Sequence, residues 1–121
     1  MLFVENDQVF LTRGDDAVLE VSLTAAGKPY EMQPGDVLQF TARKLPSVDS
    51  PVLVRVQSET PRIVLRHEDT KDLAVGQYSA DVQLMTGDGK RITVWPILDA
   101  DLRSRVTNWR NMIIMPEVTT E

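Results

Sequence analysis

Apolar and polar residues alternate with a period of two along most of this chain, in short runs separated by turn-forming residues. In Val18–Thr24, Leu19, Val21 and Leu23 share one face, and Glu20, Ser22 and Thr24 the other. In Val37–Lys44, Leu38, Phe40 and Ala42 alternate with Gln39, Thr41 and Arg43. Val52, Val54 and Val56 alternate with Leu53, Arg55 and Gln57, and Ile63 and Leu65 follow. Tyr78, Ala80, Val82 and Leu84 then alternate with Ser79, Asp81, Gln83 and Met85, and Ile92 and Val94 with Arg91 and Thr93. The apolar stretch Asn111–Met115 reads as a last strand. Successive side chains of a strand point to opposite faces, so each run can bury one face and wet the other. Short strands of this kind, broken by a turn every roughly 8–12 residues, predict an all-β antiparallel sandwich or barrel.

The breaks are as legible as the strands. Ala26-Gly27-Lys28-Pro29 and Gln33-Pro34-Gly35-Asp36 read as turns, and the stretch from Pro46 to Pro51 as a loop. Gly87-Asp88-Gly89 reads as a tight hairpin, because glycine accepts the positive φ it needs. Two segments carry a helical pattern. One is 67–73, where Asp69 is placed to cap. The other is 99–109, where Leu102, Val106 and Trp109 share one side.

Gly14-Asp15 and Gly35-Asp36 each feed an apolar alternation. Glycine supplies the turn, and aspartate can bond its own backbone nearby. The triplet Arg13-Gly14-Asp15 matches the tripeptide of integrin ligands, but a turn into a strand already asks for Gly-Asp. The plainer reading is preferred.

Composition bounds the remaining possibilities. The chain has 121 residues, the size of one domain spanning 1–121, and no cysteine, so disulfides and thiolate chemistry are excluded. Eighteen acids against 13 bases give a net charge of −5, which argues against a nucleic-acid partner. No apolar run approaches the roughly 20 residues that span a bilayer. No early basic-then-apolar stretch resembles a signal peptide. A soluble chain without a membrane partner is expected.

The most specific segment is Leu73-Ala74-Val75-Gly76-Gln77-Tyr78-Ser79-Ala80-Asp81-Val82. A helical turn, then Gly-x-Tyr, then an alternating strand matches the tyrosine corner of immunoglobulin-like sandwiches, where the hydroxyl bonds backbone upstream. The alternative is an ordinary half-buried strand tyrosine. The antibody-type cysteine two residues on is Ala80 here, and Phe40 is the nearest bulky residue on the third strand.

The segments "TRGDDAVLEVSL", "GDVLQFTARK", "HEDTKDLAVGQYSADVQL", "GDGKRITV" and "PEVTT" occur in this order. Together they resemble a family of small phage and prophage proteins of Gram-positive bacteria. That family is similar to the N-terminal domain of the siphophage baseplate upper protein. Asp69-Thr70-x-x-Leu73-x-x-Gly76-x-Tyr78 is the most specific part. The resemblance implies an immunoglobulin-like antiparallel β-sandwich of about seven to eight strands with a virion-structural or attachment-related role. It implies a place in the virion, or in the host cytoplasm before assembly, with other virion proteins or further copies as partners. It carries over no catalytic residues. Gly14, Asp15, Gly35, Asp36, Asp69, Thr70, Gly76 and Tyr78 are the positions expected to define the fold. Two departures stand out. The stretch 99–111 is inserted before the last strand, and the chain ends at Glu121, where a baseplate upper protein continues. An adaptor-sized unit is expected rather than a direct receptor binder.

Chemistry finds little support. His67, the single histidine, lies beside Glu68 and Asp69 without a Gly-x-Ser-x-Gly elbow. The aspartates at 15, 16, 88, 99 and 101 match no calcium-loop spacing. A non-enzymatic module with no cofactor and no metal is expected. Candidate interface residues are Arg103, Val106, Trp109 and Arg110, since tryptophan and arginine anchor many protein interfaces. The same segment could instead pack over the end of the sandwich. Trp95, followed by Pro96, is the further candidate. It could join an interface, blunt an edge strand, cover the core end, or stack on a sugar, which keeps a carbohydrate-binding or adhesion module as the less favoured alternative.

Overall fold

The computed structural model describes residues 1–5, 8–95 and 111–117. Among these the chain forms β1 (Leu2–Glu5), β2 (Gln8–Thr12), β3 (Ala17–Glu20), β4 (Thr24–Ala25), β5 (Lys28–Pro29), β6 (Val37–Arg43), β7 (Val52–Ser58) and β8 (Arg62–Leu65). The helical turn α1 (His67–Thr70), β9 (Gly76–Met85), β10 (Arg91–Trp95) and β11 (Met112–Met115) follow. The all-β class is as expected.

One broad sheet dominates, in the order β1-β2-β11-β9-β6-β7, with β10 also paired to β9. β10 and β11 share one flank of the long strand β9. Arg91 to Trp95 run beside the Met85–Val82 half, and Met112 to Ile114 beside Tyr78 to Gly76. β2 and β11 run parallel, whereas the other pairings of the sheet are antiparallel. β3 and β8 form a separate antiparallel pair, and β4 and β5 a small hairpin.

The period-two pattern explains the core. Leu38, Phe40 and Ala42 of β6, and Tyr78, Ala80, Val82 and Leu84 of β9, turn to one face of the broad sheet and are buried. Val9, Leu11, Met112 and Ile114 extend that face across β2 and β11. Leu19, Ile63 and Leu65 of the β3–β8 pair join the same cluster. A side chain buried in this way contributes about 1.5–3 kcal/mol, so the alternation suffices to choose which face is dry.

The structure differs from the sequence reading in several places. Strands at Leu2–Glu5 and Gln8–Thr12 were not expected. There Phe3 and Phe10 occupy the outer face and stack at 4.7 Å, so both faces are apolar and the alternation is hidden. The strand expected over 18–24 is two elements. β3 stops at Glu20, and β4 begins at Thr24 to make a hairpin with β5. The turn expected over 26–29 is only Ala26-Gly27, both at positive φ, which is the two-residue type I′ hairpin. The helix expected over 67–73 is the single turn His67–Thr70. Asp69 is its third residue rather than its cap, and its carboxylate reaches back to the Arg66 N–H at 2.7 Å. The chain leaves the helical path after Lys71, where the Leu73 carbonyl accepts from Arg13 at 3.3 Å. The described residues alone form eleven strands, several of them very short, against the seven to eight expected.

Candidate functional site

The fold-defining residues singled out in the sequence fall into two structural clusters, and an open face that the sequence did not single out lies between them. The first cluster is the corner where β2 ends and α1 sits. Thr12 to Asp15 form a turn closed by Asp15 N–H to Thr12 O at 3.1 Å, with Gly14 at φ 78°. Positive φ at the third residue is what a type II turn requires. The Gly14 N–H donates to Thr70 Oγ1 at 2.8 Å, and Thr70 is fully buried. The Gly14 carbonyl accepts from His67 Nδ1 at 2.7 Å, the one role open to a ring nitrogen facing a carbonyl. The His67 N–H donates to Asp16 Oδ1 at 2.9 Å.

Arg13 and Asp15 are likewise engaged within the chain. Arg13 Nη2 meets Glu117 Oε1 at 3.2 Å, and its Nη1 reaches the Leu73 carbonyl. The Asp15 carboxylate meets the Met1 ammonium. Nearby, Gly76 opens β9, and the Tyr78 hydroxyl donates to Ala74 O at 2.5 Å, as a tyrosine corner would. Burial pushes the Tyr78 phenol above its ordinary pKa. Lys44 Nζ lies 4.6 Å from its ring centre.

The second cluster holds the other Gly-Asp pair at the opposite end of β6 and β9. Asp36 N–H closes the turn to Gln33 O at 3.0 Å, with Gly35 at φ 89°. Asp36 Oδ2 accepts from Tyr30 Oη at 2.5 Å and from Gln33 N–H at 2.9 Å, and Oδ1 accepts from Gly87 N–H at 3.4 Å. The Tyr30 hydroxyl, then these amides, hold the Asp36 carboxyl below its usual range. The same bond raises the Tyr30 phenol, with burial and the Asp36 and Asp88 charges adding to it. Asp36 thus pins three chain segments together.

The open face is the outer side of β7, β6, β9 and β10, where the polar residues of each alternation collect. It forms a groove of about 500 Å³. Arg43 is tied to the 46–51 loop, with Nη1 on Val48 O at 3.2 Å and Ser50 O at 2.5 Å. Arg55 and Arg91 are exposed and make no ion pair among the described residues. Asp81 is half-buried between them, and burial raises its carboxyl pKa against the pull of Arg43. Ser79 Oγ, buried at the groove floor, has no hydrogen-bond partner among the described residues.

Compared with known protein families, with curated proteins and with solved structures, this chain matches none.

Trp95 is placed differently from the exposed stacking platform considered above. A register shift between Thr93 and Trp95 sets Trp95 opposite Val82, on the core face, where it is half-buried against the core. Without that bulge it would share the outer face with Arg91 and Thr93. Arg103, Val106, Trp109 and Arg110, with the helix expected over 99–109, lie outside the described residues. Among the described residues, no three histidine, cysteine or acidic side chains are grouped to hold a metal. No helix there is long and apolar enough to cross a membrane.

Sequence reasoning missed Asn111, which read only as the start of the last strand. Its side chain is buried and bonds Ala80 through both of its polar atoms. An asparagine heading an apolar strand is the signal, but nothing in the sequence says which backbone it would meet.

Proposed function

We propose that this chain is a non-enzymatic structural module of a phage or prophage particle that acts through protein contacts. It would belong to a baseplate, tail or fibre-associated assembly and reside in the virion, or in the host cytoplasm before assembly. Its fold is an immunoglobulin-like sandwich. The β3–β8 pair is one layer, β6, β9 and β10 lie in the other, β2 runs parallel to β11, and Tyr78 bonds upstream backbone at the start of β9.

One observation carries this reading. His67, the histidine weighed for catalysis, meets the Gly14 carbonyl through Nδ1, and the two Gly-Asp turns bond within the chain, Gly14 to Thr70 and Asp36 to Tyr30. Among the described residues, Arg55 and Arg91 make no ion pair and lie on an exposed face of the broad sheet, which suits a partner's surface rather than a small substrate. The sugar-binding alternative is the less favoured, because Trp95 is half-buried against the core rather than fully presented. A density gradient of particles from a lysate expressing the tagged chain tests the proposal. The tag should sediment with intact particles, and a tag confined to the top of the gradient contradicts it.

A further inference from the structure

The groove on the outer face departs in charge from the rest of the chain. Its lining includes three arginines, at 43, 55 and 91, against one acid, Asp81, a local balance of +2. The whole chain carries −5. Arg43 is spent on loop carbonyls, so its guanidinium shapes the wall. Arg55 and Arg91 stand on β7 and β10, on either side of β6 and β9, and make no ion pair among the described residues. Between them run uncharged groups that can donate and accept: Gln39, Thr41, Gln83 and Thr93. Ser79 Oγ, at the groove floor, has no hydrogen-bond partner among the described residues, but it is buried beneath the surface a partner would touch.

The lining also says what does not fit. It contains no aromatic side chain among the described residues, so neither a base nor a sugar ring has a surface to stack on. Asp81 at its centre repels a continuous line of phosphates. A polypeptide suits it better, because its carboxylates are spaced by neutral backbone that amide and hydroxyl side chains can bond.

We infer that this groove docks an acidic polypeptide segment, with Arg55 and Arg91 receiving its carboxylates and Gln39, Thr41 and Gln83 bonding its backbone. The inference rests on reading the chain as a module that works through protein contacts, and it names the chemistry of the partner.

The test is an NMR titration of the ¹⁵N-labelled chain with an alternating Glu-Gly octapeptide. Saturable shifts are expected at the amides of Thr41, Arg55, Gln83 and Thr93. The Arg55→Glu/Arg91→Glu variant should weaken binding by about tenfold or more. The charge-matched Lys28→Glu/Arg62→Glu variant, altered on β5 and β8, should bind as the parent does. If the glutamate pair disturbs folding, Arg55→Gln/Arg91→Gln gives the same comparison with less charge change. Shifts spread over the whole surface, or equal binding by all variants, overturn the inference. Equally tight binding of the groove by oligothymidylate also overturns it, in favour of a general anion site. The titration uses the isolated chain, so its failure is separable from absence of the chain from particles.

Discussion

The Asn111 side chain takes the place of a strand residue beside Ala80. Its Oδ1 accepts the Ala80 N–H at 2.7 Å, and its Nδ2 donates to the Ala80 carbonyl at 2.8 Å. Ala80 lies in the stretch of β9 between the residues that pair β10 and those that pair β11. One amide therefore completes the edge where neither neighbouring strand reaches. The Asn111 carbonyl also accepts the Val9 N–H at 2.8 Å, which joins β2 to the same point.

Asn111→Ala should cost about 2–4 kcal/mol, because two buried backbone groups lose their partner. Asn111→Asp keeps the acceptor but sets a carboxylate against the Ala80 carbonyl, which raises that carboxyl's pKa in the folded state. Its stability deficit should grow as pH rises above about 4 and shrink in acid, where the group is protonated. Urea melts at pH 7 and pH 3.5 measure both effects.

Thr70 joins the α1 turn to the Gly14 turn through one buried hydrogen bond. Thr70→Val preserves shape and strands the Gly14 N–H, at a cost of about 1–3 kcal/mol. Thr70→Ser keeps the hydroxyl and should retain most of that stability. Equal losses in denaturant melts of the two variants would remove the hydrogen bond from the account.

Ala26 holds φ 52° in the β4–β5 hairpin, a conformation that an L side chain with a Cβ resists. Ala26→Gly should therefore stabilise the protein by about 0.5–1 kcal/mol, net of glycine's greater unfolded-state entropy. Thermal melts read this directly, and a lower Tm would mean that Ala26 is not strained there.

The Tyr30–Asp36 bond makes stability depend on pH at both ends. The folded pKa of Asp36 is depressed, so its contribution is present above the unfolded value of about 4 and is lost as pH falls through the folded value. The folded pKa of Tyr30 is raised, so its contribution is present below about 10 and is lost as pH rises through the folded value. Tyr30→Phe should be less stable than the parent at pH 7, and the two should converge in strong acid. A gap that stays constant with pH would show that the bond does not set the Asp36 carboxyl.

The strands with one polar face were legible because burial of the other face is a strong, local signal. β6 and β9 kept nearly the bounds expected of them, and the Gly14 and Gly35 turns kept their glycines at positive φ. β1 and β2 were hidden because Phe3 and Phe10 make both faces apolar. Trp95 against the core was one of several readings open in the sequence, and nothing there chose it, because a bulge has no sequence signature strong enough to reset an alternation. The groove was hidden for a different reason. Its arginines are far apart in sequence, and only the order β7-β6-β9-β10 brings them onto one face. Asn111 shows the same limit, since its partner lies 31 residues away.

Quantitative mass spectrometry of gradient-purified particles tests the proposed role most directly. The account predicts this chain at a fixed ratio to the other tail proteins, unchanged by further purification. Detectable expression in the cell together with a ratio that falls towards zero as particles are purified would contradict it.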